Sequence, residues 1–144
     1  MSGYSTDSLL SKLAKTDSIN RFIKNNDEAM LPPLHEYLHN LQESKGESAE
    51  AIINRADIER SYGHQIFKGT KKPSREKVIQ LAFGLELNLP QTQKLLKAAG
   101  YGELYPKIKR DAAIIFCLCQ RKSVVQTQSI LHDLQLKLLG GEKE

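Results

Sequence analysis

Apolar residues along this chain recur at intervals of three and four, and strict alternation is nearly absent, so the pattern predicts an all-α protein. Leu9, Leu10 and Leu13 form a stripe that predicts a short helix over 8–15, capped by Thr6 or Asp7. Ile19, Phe22 and Ile23 predict a second over 17–24 behind Thr16, ended by Asn25-Asn26-Asp27. A third starts at Pro33, carries Leu34, Tyr37, Leu38 and Leu41 on one face, and stops at Gly46. Ser48 is placed to cap a helix over 49–55. Asp57-Ile58 reads as a tight turn, and a helix over 60–68 ends at Gly69. Pro73-Ser74 opens a helix reaching about 87, and a helix over 90–99 closes at Gly100. Tyr105-Pro106 opens an apolar helix over 107–120, and Ser123 caps a last one reaching 138.

The last four of these helices carry a weak internal repeat. Gln91-Thr92-Gln93 recurs as Gln126-Thr127-Gln128, an offset of 35, and at that offset Arg75 matches Arg110, Ile79 matches Ile114 and Leu96 matches Leu131. Glu76 and Asp111 are similar in kind. Helix pairs repeating at such a period can stack and bury a shared face.

Composition narrows the class. The chain has 144 residues, 40% hydrophobic and 26% charged, enough to pack a core and too apolar for global disorder. The longest apolar run, from Ala112 to Cys119, is far shorter than a membrane span, so no membrane partner is expected. The polar start, Met1-Ser2-Gly3-Tyr4, shows no signal-peptide pattern. Two cysteines two positions apart cannot staple a scaffold, which points to a cytoplasmic chain. Cys117 and Cys119 read as small core residues, and Tyr4, Tyr101 and Tyr105 as packing residues. The tail beyond 139 reads as flexible.

The net charge of +4 is unevenly distributed. Residues 1–47 carry five Lys/Arg against seven Asp/Glu, 48–77 carry seven against four, and 78–144 carry nine against six. The densest basic stretch runs from Lys68 to Lys77, with five bases and one acid. It directly follows the segment with the most turn chemistry.

That segment is the strongest constellation in the chain. Residues 48–69 read as two short helices joined by the Asp57-Ile58 turn, with Ile52, Ile58 and Ile66 placed to pack one helix against the other. Gly69, the basic loop Thr70-Lys71-Lys72, Pro73-Ser74 and an amphipathic helix follow. This spacing resembles the Cro/repressor-type helix-turn-helix regulators, the XRE-like group, over roughly residues 34–100. Tyr62-Gly63-His64-Gln65-Ile66-Phe67, Leu95-Leu96-Lys97-Ala98-Ala99-Gly100 and Leu104-Tyr105-Pro106 are similar to a group of small bacterial regulators of this type across nearly the whole chain.

The resemblance implies a five-helix lambda-repressor-like DNA-binding domain over 31–102, an N-terminal helical arm over 1–30, a C-terminal helical hairpin over 103–139 and a tail over 140–144. It implies double-stranded DNA as the partner, with the second helix of the pair in the major groove. Arg60, Ser61 and Gln65 would then stand at base edges, with Tyr62 and His64 as further base or backbone contacts. Lys68, Lys71, Lys72 and Arg75 would neutralise phosphates. A homodimer through the C-terminal hairpin, whose helices are rich in Ile, Leu and Val, is the corresponding expectation for assembly. The alternative is a helical adaptor that binds a protein partner and whose helix-turn-helix does not touch DNA. Gly63 inside the second helix costs up to about 1 kcal/mol relative to Ala and needs a reason.

No enzyme, cofactor or metal is expected. His35-Glu36-Tyr37-Leu38-His39 matches H-E-x-x-H, and histidines at i, i+4 do share a helix face. Glu59 lies 20 residues beyond His39, a plausible third-ligand spacing. A zinc protease also needs a cleft and a substrate-binding strand, and the pattern offers no strand.

Overall fold

The computed structural model describes residues 5–140; Tyr4 and residues 141–144 lie outside them. The described residues form nine α-helices and no strand. The chain divides into two compact units, Met1–Pro32 and Pro33–Glu144.

In the first unit, α1 (Thr6–Lys15) is capped by Ser5, whose hydroxyl accepts the Ser8 amide at 3.1 Å. Helix α2 (Ile19–Asn25) starts later than the apolar stripe predicts. The reason is local: the Ser18 hydroxyl accepts the Arg21 amide at 3.2 Å, while Thr16 accepts the Ser18 amide in the turn before it. A 3-10 turn, Asp27–Ala29, follows, and the Asn26 side chain donates to the Phe22 carbonyl at 2.8 Å.

The second unit contains α3 (Leu34–Lys45), α4 (Ala49–Arg55), α5 (Arg60–Lys68), α6 (Arg75–Gly84), α7 (Leu89–Ala98), α8 (Lys109–Cys119) and α9 (Val124–Asp133). Helix α6 runs through its centre, and every residue from Val78 to Gly84 is buried. Helix α4 packs on α5 and α6, and α3 packs on α5.

One turn joins consecutive helices three times. Asp57, Glu86 and Arg121 each end a helix with positive φ, at 60°, 55° and 58°. Each following amide closes back on the helix: Ile58 to the Ile53 carbonyl at 3.3 Å, Leu87 to Ala82 at 3.0 Å and Lys122 to Cys117 at 2.9 Å. The next residue then caps a new helix: Glu59, Asn88 and Ser123. These turns border one open cleft of about 850 Å³.

Two glycines set how closely the helices approach. A Cβ on Gly84 would lie 2.5 Å from the Ile52 carbonyl oxygen, so α6 meets the α4 backbone there. A Cβ on Gly63 would lie 2.5 Å from Cγ2 of Ile53. Gly63 is therefore in the interior of α5 because the branched Ile53 fills the space a side chain would need.

The 35-residue repeat is real in three dimensions, and its geometry is reciprocal. Gln93 Nε2 donates to the Leu104 carbonyl at 2.9 Å and its oxygen accepts the Leu104 amide at 2.8 Å. Gln128 makes the same pair with Leu139, at 3.0 and 2.7 Å. Each glutamine thus holds an extended segment returning along its hairpin. For the same reason the last helix stops at Asp133 rather than 138: Gln135 turns with φ 59°, and the chain beyond it docks on Gln128.

The ion pairs cross between the repeats. Arg110 donates twice to Glu76, at 2.7 and 2.8 Å, and Arg75 donates to the buried Asp111 at 3.3 Å. Asp111 also accepts the Tyr105 amide at 2.9 Å, as Glu76 accepts that of Gly140, 35 residues further on, at 3.0 Å. Helix α6 touches α9, and α8 touches α7. This is the signature of a pseudo-twofold exchange between the α6–α7 and α8–α9 hairpins, in place of a translational stack. Their shared interior includes Ile79, Leu96, Ile114 and Leu131, all fully buried.

Candidate nucleic-acid interface

Helix α5 divides cleanly between a packed and a solvent face. Gly63, Ile66 and Phe67 are buried, whereas Arg60, Ser61, Gln65 and Lys68 are exposed. Tyr62 and His64 are half-buried between the two faces. The three base-contact candidates from the sequence therefore stand together in solvent on the first turns of one helix.

Acidic groups organise its start. Glu59 caps α5, its two carboxylate oxygens accepting the amides of Tyr62 at 2.9 Å and Ser61 at 3.1 Å. Those amide bonds hold its carboxyl below the ordinary carboxylate value. Glu50, near the start of α4, reaches across to α5. His64 Nε2 donates to its Oε1 at 2.9 Å, and Arg60 Nε donates to both oxygens, at 2.9 and 3.2 Å. The His64 and Arg60 hydrogen bonds together lower the Glu50 carboxyl. Arg60 nevertheless stays 76% exposed. Only its Nε is engaged, so both terminal amino groups remain outward.

The basic loop splits in two. Lys68, Lys71 and Lys72 are exposed, and the Lys72 ammonium lies 5.4 Å over the Tyr101 ring. Arg75 is turned inward: its Nε donates to the Gly102 carbonyl at 3.1 Å, and one terminal nitrogen donates to Glu103 O and Asp111. It is a strut between repeats, with its Nε and one terminal nitrogen committed within the fold. The sequence grouped it with the lysines because both are basic residues in one run. Its partners lie 27 to 36 positions away, beyond any local pattern.

The H-E-x-x-H histidines also pack within the fold. The His39 Nε2 bonds to the Phe67 carbonyl at 3.0 Å, in the last turn of α5. The His35 ring lies against Gly69, where a Cβ would come within 2.7 Å of Nδ1. Glu59, the third-ligand candidate, is the α5 cap. Among the described residues no group of three or more His, Cys, Asp or Glu is arranged to hold a metal ion. Cys117 is buried as a core residue, but Cys119 is exposed.

The sequence missed Glu50 as a partner of the α5 cations. Glu50 is ten residues from Arg60 and fourteen from His64, and only the turn geometry brings them together. No protein-family model, curated protein or solved structure matches this chain. No helix among the described residues is long and apolar enough to cross a membrane.

Proposed function

We propose that this protein binds double-stranded DNA sequence-specifically as a transcriptional regulator, with α5 entering the major groove of a half-site. On this reading α3 to α7 are the five helices of a lambda-repressor-like domain. The observation that carries it is the exposed edge of α5, where Arg60, Ser61, Gln65 and Lys68 stand in solvent while Gly63, Ile66 and Phe67 bury. A major groove accepts one helix, and residues on its first turns reach base edges. The two free amino groups of Arg60 match guanine O6 and N7, and the Gln65 amide matches adenine. Each good bidentate pair is worth about 1–3 kcal/mol of discrimination.

Phosphate contacts fall to Lys68, Lys71 and Lys72, with Arg75 left out because its Nε and one terminal nitrogen hold Gly102, Glu103 and Asp111 within the fold. Three neutralised phosphates per subunit give a log–log salt slope of about −2.7. Glu50 beside Arg60 offsets part of the positive field and leaves the base-reading edge of the guanidinium free.

Selection of bound duplexes from a random pool, followed by anisotropy titrations, tests this. Arg60→Ala and Gln65→Ala are expected to lose discrimination at one base pair each. Lys71→Ala with Lys72→Ala weakens all sequences alike and flattens the salt slope by about 1.8. An empty selection, or binding indifferent to both sets of variants, removes the reading.

A further inference from the structure

We infer that the outer face of α8 is a docking site for an acidic amphipathic helix of a partner protein. This goes beyond DNA binding and does not depend on it.

The pseudo-twofold between the hairpins says what belongs on this face. Helix α6 uses both of its faces. One packs into the shared interior through Val78, Ile79 and Ala82, as Ala113, Ile114 and Cys117 do in α8. The other receives α4: Gln80 Nε2 donates to the Ala56 and Asp57 carbonyls at 3.0 and 3.2 Å, and Gly84 meets the Ile52 carbonyl. Gln80, Leu81 and Gly84 are buried there, and Pro73, just before α6, is buried beside residues of α3 and α5. Thirty-five residues on, the same positions are Ile108, Ile115, Phe116 and Cys119. They form an apolar stripe at helical spacing, yet Ile108 and Phe116 are each 51% exposed and Cys119 is exposed. The second repeat thus keeps an apolar face at the positions where the first carries a helix.

Charge decides the occupant. Lys107, Lys109 and Arg121 are exposed and Lys122 is half-buried. None of these four makes a side-chain hydrogen bond or ion pair among the described residues. The remaining charges of the segment, Arg110 and Asp111, are consumed by Glu76 and Arg75. The charges that residues 107–122 leave to solvent are therefore all positive, Lys107 and Lys109 at the start of α8 and Arg121 and Lys122 past its end, where the cleft also brings Asp57 and Glu86. Pairing α8 with a second copy of itself, in either direction, sets these cations against each other, which is unfavourable. An acidic helix satisfies them. The helix that covers the equivalent face of α6 shows the apolar half of such an occupant, since α4 buries Ile52 and Ile53 against its neighbours.

The test uses the full chain and a fluorescein-labelled 20-residue helical peptide, with Ile at i, i+3, i+4 and i+7 spacing on one face and Glu on the other. Its counterpart has Lys for every Glu. The Glu peptide is expected to bind, to weaken with salt, and to lose roughly tenfold in affinity against Phe116→Glu; the Lys peptide is expected not to bind. Phe116 is half in solvent, so the variant should keep its thermal midpoint, and Ile108→Glu is the second, independent variant. The assignment is overturned if neither peptide binds, if both bind equally, or if neither variant affects binding. It is also overturned if the chain sediments as a dimer that Phe116→Glu dissociates, since the occupant would then be a second copy.

Discussion

Replacing Gly63 by alanine probes how the helix-turn-helix is held together. Alanine ordinarily stabilises a helix interior relative to glycine, by up to about 1 kcal/mol. Here the added methyl would lie 2.5, 2.8 and 2.9 Å from Cγ2, Cγ1 and Cδ1 of Ile53, where carbon contacts normally begin near 3.5 Å. Ile53 is 2% exposed, and a β-branched side chain in a helix has essentially one rotamer, so it cannot swing clear. Helices α4 and α5 must part instead. Overpacking of this kind costs about 1–3 kcal/mol, which leaves a net loss of about 0–2 kcal/mol after a propensity gain of about 1 kcal/mol. Ile53→Ala alone removes all three clashing atoms and costs about 2–5 kcal/mol through its cavity. In that background the clash is gone, so Gly63→Ala should become neutral or stabilising, a coupling of about 1–3 kcal/mol between the sites. Urea unfolding followed by circular dichroism on the four proteins of the cycle measures it. Additivity within about 0.5 kcal/mol, or stabilisation by Gly63→Ala in the parent chain, would refute the packing argument.

Further outcomes follow from the ion pairs, the glutamine clasps and the α5 acids. Arg110→Ala leaves the Glu76 carboxylate largely buried without its partner and should cost about 3–5 kcal/mol by urea unfolding. Burial alone would raise the Glu76 carboxyl, but the Arg110 hydrogen bonds and the Gly140 amide together hold it below the ordinary 4.5. Its stabilisation is therefore present above that value and is lost as pH falls through the lowered folded-state value. Thermal midpoints of the parent chain and Glu76→Gln should differ most at neutral pH and converge in acid; a gap that widens below pH 4.5 would contradict this. Gln128→Ala strips both hydrogen bonds from the Leu139 backbone and should raise amide exchange at Leu139 while leaving Leu104 protected. Glu50→Gln removes a negative charge beside Arg60 and His64, so anisotropy should show tighter DNA binding at every sequence; unchanged affinity would mean the charge does not face the phosphates.

The helical class, the α4 and α5 spans and the 35-residue repeat were legible because each rests on local chemistry. Three- and four-residue apolar spacing, a capping hydroxyl at Ser48 and a glycine stop at Gly69 act within a turn or two of themselves. The exposed edge of α5 was legible in the same way, since its amphipathic pattern sorts Arg60, Ser61 and Gln65 away from Ile66 and Phe67. Where competing local signals were nearly equal, only the competition for hydrogen bonds chose. Ser18 rather than Thr16 caps α2, and α9 yields after Asp133 to a segment clasped by Gln128.

Tertiary structure alone decided the rest, because it depends on groups far apart in the chain meeting at atomic distance. One such meeting sets Arg75 as a strut against Asp111, and another gives Arg60 and His64 a shared acid in Glu50. Steric contact with Ile53 explains a glycine that propensity disfavours. The reciprocal pairing of Arg75 with Asp111 and Arg110 with Glu76 makes the repeat a pseudo-twofold. Periodicity places residues on faces of their own helix, but which face meets which neighbour is settled by packing and ion pairing over tens of residues.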